Sequence, residues 1–186
     1  MPHVTIAMDA GETGGVAAYV NGNLRRSLTV QPWVTTDWPN MLGPDFLRRA
    51  HEPDCDVHIV MEATESFRNC RVVTAVSEHG GMMLAALVGK IPAFKRSDVI
   101  RYYPHFRGRP KTAPLPWREV YGEGWARKTS KGLGEELGIK DTRKTNPWKI
   151  KAKEFASALH PGHHFLSDDE AEAVLIGRWH EQQLVR

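Results

Sequence analysis

The stretch "HVTIAMDAGETGGVAAYVNGNLRRSLTV", residues 3–30, decides the fold prediction. From Val4 to Asp9 apolar side chains alternate with small or polar ones, which is the period-two pattern of a strand. Asn21-Gly22 separates two further apolar runs, and Asn-Gly accepts the positive φ angles of a type I′ turn. The stretch therefore predicts three consecutive strands, the first of which ends at Asp9.

The rest of the chain predicts alternating strands and helices. "DVHIVME", residues 56–62, is an apolar run that indicates a buried parallel strand ending at Glu62. A short strand is predicted for "KIPAF", residues 90–94, and a brief helix for "DVIRYY", residues 98–103. Further helices are predicted around Phe46–His51, over Arg71–Val88, from Asn146-Pro147 to Pro161, and after Ser167, which forms a capping box with Glu170.

The order β-β-β-α-β-α-β-α-α predicts an α/β protein with an antiparallel start and parallel strands after it. That is the layout of the ribonuclease H-like fold, a mixed five-stranded sheet flanked by helices. We expect one such domain over residues 1–186. Residues 105–146 are rich in Gly, Pro, Trp, Arg and Lys with little periodicity, so we expect them to form a basic insertion rather than core.

Composition and charge narrow the class of protein. The chain has 186 residues, 41% of them hydrophobic and 25% charged, which is typical of one globular domain. No apolar run is long enough for a membrane span, no signal-peptide pattern is present, and the two cysteines fit no disulfide or zinc framework. We therefore expect a cytoplasmic protein with no membrane partner.

Positive and negative charges are segregated along the sequence. Lys90–Lys153 contains 17 Lys and Arg against 6 Asp and Glu, whereas the remainder contains 8 against 16. A basic segment on an otherwise acidic chain indicates a polyanionic partner, with nucleic acid first. From charge alone, a merely solvated loop is an equal alternative.

Acidic residues gather at the start of the last predicted helix. Asp168, Asp169, Glu170 and Glu172 occupy four of five positions, and two carboxylates roughly 4 Å apart repel by about 4 kcal/mol near a protein surface. Helix-dipole capping explains the first three, but Glu172 lies on the second turn. Either Asp169 or Asp168 shares a helix face with Glu172.

Two further carboxylates are predicted at the carboxyl edge of the sheet. Asp9 and Glu62 each end a strand, and parallel neighbouring strands would bring both to the edge where open α/β sheets bind ligands. Together with the helix acids they would form a pocket for one or two Mg²⁺ ions, which prefer oxygen ligands. Singly, each acid also has an ordinary structural explanation as a turn, strand-end or capping residue.

Five segments resemble the RuvC-type Holliday junction resolvases, especially their phage and viral branch. They are "TIAMDAGETGGVAAYV" (5–20), "IVMEATES" (59–66), "EHGGMMLAALVGKIPAFKRSDVIRYYP" (78–104), "NPWKIKAKEFASALHP" (146–161) and "SDDEAEAVLIG" (167–177). Their order and spacing carry the resemblance, which is weak over residues 31–54 and 105–146. The last acid is Glu172, where many members have Asp.

The resemblance implies a homodimeric endonuclease that cuts four-way DNA junctions by paired nicks. It implies Mg²⁺ as cofactor, replaceable by Mn²⁺, with two ions held by Asp9, Glu62, Asp169 and Glu172. Asp168 is a possible substitute because the match slips by one residue there. Lys151 falls where the family places a basic residue near the active site, although a surface lysine on an amphipathic helix is an equal interpretation.

The predicted DNA contacts follow the basic segment. Trp117, Trp125 and Trp148 could stack on unpaired bases of a junction or pack a small extra core. The apolar run "MMLAALV", residues 82–88, could contact a second subunit or lie inside a monomer. The basic residues expected to contact DNA are Lys95, Arg96, Arg107, Arg109, Lys111, Arg127, Lys128, Lys131, Arg143 and Lys144.

Three other functions compete with junction cleavage. A nuclease for flaps, forks or RNA–DNA hybrids would keep the chemistry and change the substrate. A module that binds branched DNA without cutting it would leave the acids unexplained. "MDAGETGGVAAYV", residues 8–20, also resembles the phosphate-binding hairpin of sugar and acetate kinases, but the chain is too short for their two domains.

Overall fold

The computed structural model describes residues 1–10, 13–31, 37–62, 70–88, 90–91, 99–102, 130–142 and 144–185. For residues 70–76 and 130 it describes the backbone alone. None of the helices in these ranges is long and apolar enough to cross a bilayer.

A five-stranded mixed sheet forms the centre of the fold. Its strands are β1 (His3–Asp9), β2 (Gly15–Val20), β3 (Asn23–Thr29), β4 (Asp56–Glu62) and β5 (Ile100–Tyr102), in the spatial order β3-β2-β1-β4-β5. β2 is antiparallel to both β1 and β3, whereas β4 is parallel to both β1 and β5. This order and these directions confirm the predicted ribonuclease H-like layout.

Helices cover both faces of the sheet. They are α1 (Trp38–Met41), α2 (Pro44–Ala50), α3 (Cys70–Val88), α4 (Ser130–Glu136), α5 (Pro147–Leu159) and α6 (Asp168–Leu184). The predicted helices at residues 46–51 and 71–88 and those opening at Pro147 and after Ser167 are confirmed. The Asn146 side chain accepts a hydrogen bond from the Trp148 amide at 3.0 Å, as expected of a helix cap.

The β2–β3 hairpin has the predicted turn. Asn21 has φ 49° and Gly22 has φ 79°, the left-handed pair of a type I′ turn. The Asn21 side chain also accepts a hydrogen bond from the His3 amide at 2.9 Å. The turn thereby fixes the register of the antiparallel strands and ties them to the start of β1.

Alternation along the strands separates two apolar cores. Ile6 and Met8 of β1 face one core, where α1, α2 and α3 contribute Trp38, Phe46, Leu84 and others. Ala7 and Tyr19 face the other, against α5 and α6. Because side chains two apart share a face, Asp9 and Glu62 lie on the α6 side of the sheet with Ala7 and Val60.

The sequence-based prediction was wrong at the last strand. Residues 98–103 were expected to form a brief helix, but Ile100–Tyr102 is β5, paired in parallel with Val60–Glu62. β-branched and aromatic residues in a short run favour a strand when an edge is available. Of the strand expected at residues 90–94, Lys90 and Ile91 are not in a strand, and the rest lies outside the described residues.

Part of the expected insertion has regular structure. Within residues 105–146 the structure describes α4, whose Leu133 is fully buried, although helix was not expected there. Residues 103–129 lie outside the described part. The single-domain organisation and the role of the insertion therefore stay predictions.

Candidate active site

Three carboxylates from β1 and α6 converge at the carboxyl edge of the sheet. Asp9 ends β1, and Asp169 and Glu172 lie on the first turns of α6, which begins above that edge. One carboxylate oxygen from each of the three lies within 4.8 Å of the others. Among the described residues, these three acids form the group of potential metal ligands whose oxygen atoms lie this close together.

Burial makes the metal-free cluster electrostatically unfavourable. Asp9 and Asp169 are each 5% exposed, and Glu172 is half-buried. Burial raises the pKa of Asp9 well above its usual range, and the charge of Glu62 raises it further. Burial and then the Asp9 charge likewise raise the pKa of Glu172. Charged carboxylates held this way favour a bound cation.

Glu62 and Asp168 occupy different positions relative to this group. Glu62 ends β4, the parallel neighbour of β1, and its carboxylate contacts that of Asp9. Asp168 is the first residue of α6, partly exposed, and is not one of the three converging acids. Of the two alternatives left open by the sequence, the structure brings Asp169 to Asp9 and Glu172.

Among the described residues, the cation that pairs with these acids is Lys149. Its ammonium donates a hydrogen bond to Asp169 Oδ1 at 2.8 Å. Partial burial lowers the pKa of Lys149, but the bond to Asp169 and the charges of Asp169, Glu172 and Asp9 outweigh it, and the net shift is upward. Lys149 therefore stays protonated beside the carboxylates.

Lys151, the predicted basic site residue, is paired elsewhere. Its ammonium donates to Glu154 on the next turn of α5. Residues two apart on a helix project about 200° from each other, so the helix orientation that brings Lys149 to Asp169 directs Lys151 away from it. The role of Lys151 therefore stays a prediction, and no signal in the sequence indicated Lys149.

Thr13 also holds the cluster and was not predicted. Its hydroxyl donates a hydrogen bond to Asp169 Oδ2, opposite the oxygen bound by Lys149. Thr13 lies just before β2, in the connection from β1. Its place within "GETGG" gave only a turn signal, because the partner is 156 positions away.

Glu170 links α6 to the sheet through a network of buried hydrogen bonds. Its Oε1 accepts from the Ser27 hydroxyl at 2.5 Å, and its Oε2 accepts from the Leu166 amide at 2.8 Å. Ser167 caps the helix by accepting from the Glu170 amide at 3.0 Å. The predicted cap is confirmed, but the Glu170 carboxylate binds β3 and Leu166 rather than completing a capping box. These contacts fix the rotation of α6.

The predicted DNA contacts lie mostly outside the described residues. Lys131 and Lys144 are exposed, and Lys131 is 3.9 Å from Glu135. Trp148 is half-buried at the start of α5. The structure says nothing of Lys95, Arg96, Arg107, Arg109, Lys111, Arg127, Lys128, Arg143, Trp117 or Trp125.

The described residues have a ribonuclease H-like fold with a carboxylate cluster at the carboxyl edge of the sheet. The chain is similar to the structure of RuvC from Thermus thermophilus, with 13% identity, coverage of 95% of this chain and 92% of that one, and a TM-score of 0.47. It is also similar to Thermus thermophilus RuvC in complex with a Holliday junction substrate, with 13% identity, coverage of 96% and 92%, and a TM-score of 0.43. No protein-family model and no curated protein matches the sequence.

Lys149→Met is expected to lower any metal-dependent cleavage by about 10–100-fold, because it removes a fixed positive charge beside the reacting centre. It should also lower the Tm measured in EDTA, since the buried carboxylates lose their ion pair. Lys151→Met is the matched control on the same helix and should change both little. Normal cleavage by Lys149→Met together with loss of cleavage in Lys151→Met would instead support Lys151 as the basic residue of the active site.

Proposed function

We propose that this protein is a divalent-metal-dependent endodeoxyribonuclease that resolves four-way DNA junctions by paired phosphodiester hydrolysis. The observation that carries the proposal is the convergence of Asp9, Asp169 and Glu172 within 4.8 Å at the carboxyl edge of the sheet. That edge is where α/β sheets generally bind ligands. The choice of a four-way junction as the substrate rests on the resemblance of the sequence to RuvC-type resolvases.

The donor set fits Mg²⁺ or Mn²⁺ rather than a softer ion. The converging groups are carboxylates, with Glu62 contacting Asp9, and hard divalent cations prefer oxygen ligands. When bound, one or two such ions would supply the positive charge that activates a water and stabilises the attacking and leaving oxygens at the phosphodiester. The protein would hold them through Asp9, Asp169 and Glu172, with Glu62 completing the set.

The neighbouring side chains position those ligands. Lys149 and Thr13 each bind one oxygen of Asp169, so they fix the rotation of that carboxylate about its Cβ–Cγ bond. Lys149 also remains a protonated donor close to the cluster, where it would offset negative charge developing on a phosphate. Glu170 holds the helix that carries Asp169 and Glu172 against β3.

The remaining surfaces suit branched DNA and a second subunit. The basic segment Lys90–Lys153 is rich in cations that could neutralise phosphates, and its exposed members include Lys131 and Lys144. On α3, Met82 is 44% and Val88 56% exposed, which leaves apolar surface for a homodimer contact. Paired nicks need two active sites at a fixed separation, so we expect a two-fold dimer, which a sedimentation-equilibrium mass would test.

Cleavage of end-labelled DNA tests the proposed function. The full chain is incubated with a four-way junction, a flap, a replication fork, an RNA–DNA hybrid and a linear duplex, in Mg²⁺, Mn²⁺, Ca²⁺ or EDTA. We expect symmetric nicks in the junction with Mg²⁺ or Mn²⁺ and none in EDTA. Preferred cutting of another substrate would assign a related nuclease, whereas a shifted but uncut junction would indicate a binding module.

A further inference from the structure

Three histidines and a glutamate form a second cluster at the opposite end of β1 from the carboxylates. His3 lies at the start of β1, and His58 lies early in β4, which runs parallel to it. His180 and Glu181 lie near the end of α6, which starts at the carboxylate site. The same helix therefore carries acids at one edge of the sheet and this cluster at the other.

The four side chains face one another at short range. His3 Nε2 is 2.8 Å from Glu181 Oε2. The ring centroids of His58 and His180 are 4.9 Å apart, and those of His3 and His58 are 5.9 Å apart. Two imidazoles bound to one tetrahedral zinc, at Zn–N distances of about 2.0–2.1 Å, have centroids about 5 Å apart. The rings therefore already have nearly the separation that a shared ion imposes.

Buried polar atoms of the cluster lack partners. His180 and Glu181 are 5% and 3% exposed, yet His180 Nε2 and Glu181 Oε1 accept or donate no hydrogen bond within the described part of the chain. Thr5 Oγ1, on the same face of β1 between His3 and Ala7, also has none there. Buried polar groups without partners are costly, and a bound ligand or ion is one explanation for their retention.

We propose that His3, His58, His180 and Glu181 form a binding site for a transition-metal cation of the Zn²⁺ class, distinct from the carboxylate site. Three imidazoles with one carboxylate are a donor set that zinc accepts, whereas Mg²⁺ prefers oxygen ligands alone. Their donor atoms are less closely gathered than those of Asp9, Asp169 and Glu172. Binding therefore includes rotation of the rings about their side-chain bonds, which exchanges the nitrogen that faces the centre.

Access and protonation suit such a site. The His3 side chain is 20% exposed and His58 is half-buried, so an ion can reach the cluster from solvent. Burial lowers the pKa of His58, and burial followed by the nearby His58 charge lowers the pKa of His180 to about 4. Both rings are thus neutral at pH 7, the form that binds metal. A bound ion would clamp β1, β4 and α6 together at the edge remote from the acids.

Titration of the full-length protein with Co²⁺, a visible-absorbing substitute for Zn²⁺, tests the proposal. Excess Mg²⁺ is present throughout to occupy the carboxylate site. We expect one equivalent of Co²⁺ to give the absorption of a tetrahedral centre, and Zn²⁺ to abolish it by displacement. At a Zn²⁺ concentration 100-fold above Kd, the Tm should rise by about 5–10 °C.

Four variants, two at proposed ligands and two controls, decide whether the cluster holds the ion. His3→Gln, the most exposed ligand and the least disruptive change, should weaken Co²⁺ binding by more than about 10-fold, as should His58→Asn. His51→Gln, at the exposed histidine that follows the last residue of α2, is the control and should leave binding unchanged, as should Glu172→Gln. The proposal is overturned if wild type gives no absorption, if both His3→Gln and His58→Asn bind normally, or if only Glu172→Gln loses binding.

Discussion

Asp9→Asn and Glu172→Gln are expected to cleave a four-way junction at least about 1,000-fold more slowly than the wild type, equivalent to about 4 kcal/mol of transition-state stabilisation. Both changes keep side-chain size and remove one negative charge from the group of three carboxylates that lie within 4.8 Å of one another. A cation held by all three carboxylates would lose a ligand in either variant, so the chemical step should slow. Single-turnover cleavage in Mg²⁺ measures that rate.

In Asp9→Asn and Glu172→Gln, junction binding and the stability of the metal-free protein should not fall with cleavage. Affinity measured by gel shift in Ca²⁺ should change little, because neither acid is a predicted phosphate contact. In EDTA each variant should have a higher Tm than the wild type, because a buried charge and its repulsion are removed. For a domain of this size, each kcal/mol gained corresponds to about 2–4 °C.

The same variants should differ from the wild type in their pH dependence. An acid whose pKa is raised by folding stabilises the protein below its unfolded pKa and loses that contribution as pH rises through the folded pKa. Metal-free wild type should therefore lose stability as pH rises from about 4 through the raised pKa values of Asp9 and Glu172. Asp9→Asn should flatten this decline when denaturant unfolding is followed in EDTA.

Asp168→Asn is the matched control for these variants. Asp168 lies beside Asp169 in the first turn of α6 but is not one of the three converging carboxylates. The variant should therefore cleave at a rate within a few-fold of the wild type. Full activity of Glu172→Gln, or loss of activity in Asp168→Asn alone, would remove the observed carboxylate group from the mechanism.

Local chemistry made much of the fold predictable from the sequence. Asn21-Gly22 encodes a turn by its backbone preferences, and Asn146 and Ser167 cap helices by bonds spanning two or three residues. The strand-end acids were also predictable, since alternation placed Asp9 and Glu62 at the ends of apolar runs. These signals are contained within a few consecutive residues.

The missed features depend on the orientation of one element against another. Whether Asp168 or Asp169 faces Asp9 depends on the rotation of α6, which is set by the bond from Ser27 to Glu170 across 143 positions. Lys149 and Lys151 lie two positions apart on α5. Only the packing of α5 against α6 determines which of the two lysines reaches Asp169. β5 was mistaken for helix because its pairing with β4 is not visible within its three residues.

Gly15→Ala is expected to lower both stability and cleavage, because Gly15 is the point where the β1–β2 pair of strands meets the start of α6. Gly15 pairs with Asp9 in the β1–β2 ladder. A Cβ added there would lie 1.9 Å from the Asp169 carbonyl oxygen and 2.6 Å from the Glu170 amide nitrogen. These are backbone atoms of the helix, so the clash is relieved only if α6 moves away from β2.

We expect Gly15→Ala to cost at least about 3 kcal/mol, the upper part of the range for overpacked sites, and to lower the Tm by about 6 °C or more. Moving α6 would also separate Asp169 and Glu172 from Asp9, so cleavage should fall even at temperatures where the variant is fully folded. Gly162→Ala is the control: Gly162 has φ 88° and nothing within 4 Å of an added Cβ, so it should cost only the backbone penalty of about 1–2 kcal/mol and leave cleavage intact. Equal stability of the two variants, with normal cleavage by both, would show that the hairpin does not set the position of the acidic helix.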